Sequence, residues 1–163
     1  MSKIEQKLRE NHHRREREAL IRALPKRISD FLEGVEYSSD VNCIRYAAFS
    51  TWDEELDCLT TTRGNIENWN NHNFKYWEDL IGKFKELPIS DTAGWLFFDC
   101  QGPYYKVQFT ELHRFLTEIE MYTKQTEIFD FGWVGEELDC GVIAEFNQTS
   151  FCRNEFELSV WGI

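Results

Sequence analysis

Residues 127–163 read EIFDFGWVGEELDCGVIAEFNQTSFCRNEFELSVWGI, and their alternation decides the fold. Phe129, Phe131 and Trp133 alternate with Ile128, Asp130 and Gly132. Cys140, Val142, Ala144 and Phe146 alternate with Gly141, Ile143 and Glu145, and Phe156, Leu158 and Val160 alternate with Glu155, Glu157, Ser159 and Trp161. Period-two patterning over such lengths, interrupted at Gly-Glu-Glu and at Asn-Gln-Thr-Ser, is that of half-buried antiparallel strands. The pattern predicts a three-stranded meander with strands over 127–134, 139–147 and 155–161, packed on one face and acidic on the other.

Working outward, 163 residues form a single domain, 42% of them hydrophobic, with 13 Phe, 6 Trp and 6 Tyr, too aromatic for a disordered chain. The net charge of -11 is unevenly spread. Residues 1–35 hold nine Lys/Arg against six Asp/Glu, a net of +3, which leaves −14 on the remaining 128 residues. The division is an N-terminal helical arm over 1–35 and one acidic α+β domain over 36–163. A body of that charge repels nucleic-acid phosphates and anionic lipid heads and attracts basic proteins, so a basic protein partner is expected, with no direct nucleic-acid or membrane binding.

Cysteines at 43, 58, 100, 140 and 152 are odd in number and lack close pairs, which predicts reduced thiols and a cytoplasmic location. The opening MSKIEQKLRENHHRRERE is charged where a secretory signal is apolar, and no run of 18 apolar residues occurs. Asn147-Gln148-Thr149 fits a glycosylation sequon, but without a secretory route it reads as a turn.

Residues 2–23 lack Gly and Pro and are rich in helix formers, with Ser2 and Glu5 spaced for a capping box. Arg9 to Glu18 contains no apolar residue, so the first half of this helix is expected to project or fray. His12 and His13 are adjacent, and neighbours on a helix point about 100° apart, which makes them poor metal co-ligands and a solvated face. Pro25 suits the first turn of a second helix ending at Gly34, with a stripe of Ile28, Phe31, Leu32 and Val35. A hairpin is expected from strands near 43–50 and 56–62, then an Asn-rich loop over 65–73. An amphipathic helix over 74–87 stops at Pro88. Strands at 94–99 and 104–107 flank a Gln-Gly-Pro turn, and a helix over 110–124 starts with Thr110 as its cap.

One pentapeptide occurs twice, as Glu54-Glu-Leu-Asp-Cys58 and Glu136-Glu-Leu-Asp-Cys140. Shared turn grammar and two hairpins of like construction both account for it, and both put the carboxylates at exposed turns. Neither copy has the Gly-containing ligand series of a calcium loop. No phosphate loop, metalloprotease motif or nucleophile elbow occurs, so neither cofactor nor metal is expected, and the chain reads as a binding protein rather than an enzyme. The best enzymatic alternative pairs Cys100 with His113 in a small hydrolase or transferase, but an acidic field raises thiol pKa values and disfavours a thiolate.

In its small size, acidity and aromatic strands, and in the pieces Trp95-Leu-Phe-Phe, Phe131-Gly-Trp and Ala144-Glu-Phe-Asn, the chain resembles immunity proteins of bacterial polymorphic toxin and contact-dependent growth inhibition systems. The resemblance rests chiefly on the last seventy residues. It implies a cytosolic inhibitor that covers the active site of a cognate toxin, frequently a basic nuclease. The other inhibitory reading is a phage or plasmid mimic of nucleic acid that disarms a host DNA-binding enzyme, although the basic first 35 residues fit it less well. Eight acidic residues against one basic residue follow position 126. The expected partner-binding set is Asp130, Glu136, Glu137, Asp139, Glu145, Glu155 and Glu157, with Trp133 or Trp161 as an apolar anchor.

Overall fold

The computed structural model describes residues 2–38, 60–66, 78–98, 102–126, 130–148 and 154–163. The expected strand at 43–50, the first copy of the repeated pentapeptide, and Cys43, Cys58, Cys100 and Cys152 lie outside the described residues.

Helix α1 spans Lys3–Ala23. Its start is fixed by the expected box: the Ser2 amide donates to Glu5 Oε2 at 2.6 Å and the Glu5 amide to Ser2 Oγ at 3.2 Å, satisfying two donors that have no partner within the helix. The helix runs unbroken from Lys3, and the side chains of its first turns are exposed. Helix α2 (Lys26–Glu33) buries Ile28 and Leu32, and Gly34 caps it. Arg17 of α1 reaches the end of α2, where its Nη2 donates to the carbonyls of Leu32 at 3.4 Å and Glu33 at 3.0 Å. A guanidinium there satisfies open carbonyls and opposes the negative end of the helix dipole. The same group sits 4.5 Å from the centre of the Tyr37 ring, which ties α1, α2 and the following strand together.

Among the described residues the sheet has seven strands, all paired antiparallel: β1 (Tyr37–Ser38), β2 (Thr60–Ile66), β3 (Ala93–Phe97), β4 (Tyr104–Gln108), β5 (Phe131–Gly135), β6 (Gly141–Gln148) and β7 (Asn154–Trp161). Their spatial order is β1-β4-β3-β5-β6-β7-β2. The expected meander is β5-β6-β7, with Phe131 opposite Ala144 and Val142 opposite Val160. Asn147 and Gln148 continue β6 instead of turning the chain. Strand β2 runs to Ile66, into the stretch expected as loop, because Asn65 and Ile66 are paired with Glu155 and Asn154 of β7. Ladder bonds there override the preference of Asn for turns.

Helix α3 covers 78–85, the described part of the helix expected over 74–87. The helix expected over 110–124 is two, α4 (Phe109–Arg114) and α5 (Leu116–Thr126), broken at Phe115. The cap of α4 is Gln108, the last residue of β4, so Thr110 lies inside the first turn rather than at its cap. The five helices among the described residues contribute to one core against a single sheet face, joining Ile21, Ile28, Phe84, Leu112 and Ile119 to Leu96, Val107, Trp133 and Val142. Phe84 packs on Phe109 at 5.8 Å and Phe131 at 5.5 Å, and Phe109 on Trp133 at 4.9 Å between ring centres.

The opposite face, expected to be the acidic one, also buries apolar side chains. Phe97, Tyr104, Val134, Ile143 and Trp161 form a second buried cluster there, with Trp95 and Leu138 partly buried at its edge. Glycines make room for these rings. Gly132 is the register partner of Phe97, and Gly141 that of Trp161. A Cβ on either glycine would fall inside the opposite ring. Glycine within a strand marks such close approach, and the ring restores the contact that the missing side chain forfeits. Gly132→Ala and Gly141→Ala are each expected to destabilise the fold by about 2 kcal/mol, the usual cost of overpacking. The test is urea unfolding: the midpoint falls while the slope stays the same.

Candidate partner-binding surface

The turn between β5 and β6 carries the second copy of the pentapeptide. The Gly135 amide donates to the Cys140 carbonyl at 2.9 Å and the Leu138 amide to the Gly135 carbonyl at 3.0 Å, which closes a compact loop. Leu138 adopts φ 63°, a left-handed conformation that ordinary side chains avoid. Two contacts hold it there. Its side chain packs at the edge of the second cluster, and its carbonyl accepts the Trp161 indole N–H at 3.2 Å. Gly162, itself at φ 64°, lies against the backbone of Asp139 and Cys140 with no room for a Cβ. The Glu136 amide donates to the Ala93 carbonyl at 3.2 Å, joining the turn to β3.

On this braced turn Glu136, Glu137 and Asp139 are exposed. Their electrostatics differ. Glu136 Oε1 lies 2.5 Å from Lys106 Nζ, and the ammonium stands 6.0 Å from the centre of the Trp95 ring. The hydrogen bond to Glu136 raises the Lys106 pKa. Cys140 is a free buried thiol. Burial first, then the charge of Asp139 and its hydrogen bond to the thiol, push Cys140 from its ordinary 9.0 to about 11. This Cys is therefore a protonated structural residue at neutral pH, not a nucleophile.

The expected site set is divided by the structure. Glu136, Glu137 and Asp139 share the turn. Asp130 is half-buried and precedes the Phe131–Ala144 pair at the other end of β5, and Glu145 directly follows Ala144 at that same end. At about 3.3 Å per residue, some 20 Å of strand separates Asp130 from Glu136. Positions 145 and 157, both Glu, are register partners, and Arg63 of β2 is the register partner of Glu157 on its other side. Glu155 stands between Asn147 and Asn65. Asp130 and the three turn carboxylates thus stand at opposite ends of β5.

Trp133 and Trp161 are 0% and 1% exposed, so neither stands at the surface as the expected anchor. Trp133 Nε1 donates to the Val107 carbonyl at 3.1 Å, a bond that belongs to the core. The aromatic residue beside the turn is Trp95, half-buried under Lys106, which sequence reasoning missed because the contact joins β3, β4 and the β5–β6 turn across some forty residues. His113 lies 6.4 Å from both the Phe84 and Phe109 rings, and its Nε2 is buried without a partner among the described residues. No group of three or more metal-ligating side chains occurs among the described residues, and none of their helices is long and apolar enough to cross a membrane.

No protein-family profile, curated protein or solved structure matches this chain.

Two outcomes follow from the braced turn. Trp161→Phe removes both the bond to Leu138 and the indole atoms that lie over Gly141, so stability falls by about 2 kcal/mol or more, and hydrogen exchange of the 136–140 amides accelerates while the β5 amides stay protected. The fold also weakens in alkali. Cys140 is held protonated up to about 11, and burial holds Tyr105 up to about 12, so both groups bind protons in the fold that they release on unfolding. That difference lowers stability as pH rises through 9 toward 11 for Cys140 and from 10 for Tyr105. Urea midpoints measured at about pH 8 and about pH 10 should show the drop, and Cys140→Ser should reduce it.

Proposed function

We propose that this protein is an inhibitor of the immunity type, which binds a basic toxin, a nuclease being the leading class, and neutralises it by covering its active site rather than by catalysis. The observation that carries this reading is the turn at 136–139: three exposed carboxylates on a loop braced by β3, Trp161 and Gly162. A loop already held in one conformation loses little entropy on docking, and its charge speeds encounter with a cation-rich surface. The acid balance of the body supports the same reading, since it attracts basic proteins and repels phosphates. Trp95, partly buried beneath Lys106, supplies apolar area at the edge of this patch. Lys106 is the cation that a docking Arg or Lys would displace from Glu136.

The experiment has two parts. Capture from a native cytosolic lysate, with the bound protein identified by mass spectrometry, is expected to return a basic protein whose activity the chain suppresses. Capture of nucleic acid alone, or of an acidic protein, would contradict the proposal. Glu137→Lys changes an exposed turn residue and is expected to leave the melting temperature unchanged while slowing association with the captured protein several-fold at low salt and flattening its salt dependence. An association rate equal to the parent's would remove the turn from the interface.

A further inference from the structure

Helix α1 extends past the body of the protein. Every residue from 2 to 12 is exposed, so about three turns of helix have no packed side, and buried contact with the body is made by Ile21 and Leu24. Helices in proteins draw most of their stability from an apolar face buried against something else. This length instead rests on the Ser2–Glu5 box and on surface pairs such as His12 with Glu16 at 3.1 Å. Yet it carries two large apolar side chains, Ile4 and Leu8, 73% and 63% exposed and one turn apart on the same stripe.

The net charge around that stripe is positive. Residues 1–15 hold Lys3, Lys7, Arg9, Arg14 and Arg15 against Glu5 and Glu10, a net of +3, which leaves −14 for residues 16–163. Arm and body are therefore complementary, and among the described residues the body leaves residues 2–12 of the arm exposed. The helical hydrogen-bond ladder is continuous from Lys3 to Ala23, and at 1.5 Å per residue it sets Ile4 about 25 Å from Ile21 along the axis. Bending back would break that ladder. A basic toxin, for its part, is repelled by the arm.

We infer that the arm docks on the acidic body of a second copy of this chain, in a reciprocal two-fold exchange, with Ile4 and Leu8 as the apolar contact and Lys3, Lys7 and Arg9 as the charges that steer it. The exchange removes exposed apolar surface and places the cations of each arm against surplus carboxylates of its partner. It stands independently of the identity of any toxin.

Sedimentation equilibrium of the full chain tests it. The expected result is a monomer–dimer equilibrium whose dissociation constant rises at least about tenfold as salt is raised from about 0.02 M to about 0.5 M. Ile4→Ser with Leu8→Ser, and separately Lys3→Glu with Lys7→Glu, change only exposed residues and are expected to keep the parent's melting temperature while weakening the dimer about tenfold or more. A parent that stays monomeric at about 0.5 mM in low salt overturns the inference. So does a dimer that neither variant weakens, and so does a monomeric parent that instead floats with vesicles containing anionic phosphatidylserine, which would make a membrane surface the occupant.

Discussion

The sheet closes over its core because glycine and aromatic residues exchange places across it. Gly94 leaves the space into which the Trp133 ring leans, and the indole N–H then reaches the Val107 carbonyl. That one side chain spans β3, β4 and β5 and offers its ring to Phe109 at the start of α4. On the other face the same device recurs twice, with Phe97 over Gly132 and Trp161 over Gly141. Large flat rings thus lie close to the backbone of a neighbouring strand, so both faces bury apolar area in a sheet whose central strand is only five residues long. Burial of that kind is the main favourable contribution to the stability of such a fold.

The acidic surface depends on this arrangement. Carboxylates crowded onto neighbouring strands repel one another, and a loose sheet would separate them. Here the β5–β6 turn is fastened at several points, so its charges stay where the fold puts them, with Lys106 beside Glu136 offsetting part of the repulsion. Elsewhere too, carboxylates are drawn into pairs across elements: Arg27 of α2 bonds Glu118 of α5 at 2.7 Å, and Lys124 bridges Glu78 and Glu120. Surface pairs of this type add little stability singly, but they decide which acidic groups remain available to a partner.

Much of the fold was legible in the chain. Alternation in 131–161 marked the three meander strands to within a few residues, because a strand's period of two survives in any half-buried sheet. The Ser2–Glu5 box and the stripe Ile28, Leu32 needed only local spacing. What failed to show was non-local. Alternation says which residues share a face and is silent about what lies over that face, so Trp133 and Trp161 read as surface anchors when both are core. The eight-residue site read as one surface because sequence neighbours on a meander were taken as spatial neighbours, whereas strand length carries Asp130 and Glu136 apart. The break at Phe115 escaped notice because the apolar stripe Leu112, Leu116, Ile119 runs through it without interruption.

The strand order also governs how the chain comes together in time. Thr60 is paired with Val160, one hundred positions later, and every residue of β2 is laddered with β7. During synthesis β2 emerges long before β7 exists, so their ladder cannot form until β7 has left the ribosome. Pairings so distant in sequence are slow to form, since a large loop must be closed before any bond rewards it. The centre of the sheet, β3 to β6, is joined by shorter connections, whose loops cost less to close. Strand β7, made after β2, β3, β4, β5 and β6, is thus the one that brings the distant β2 into the sheet.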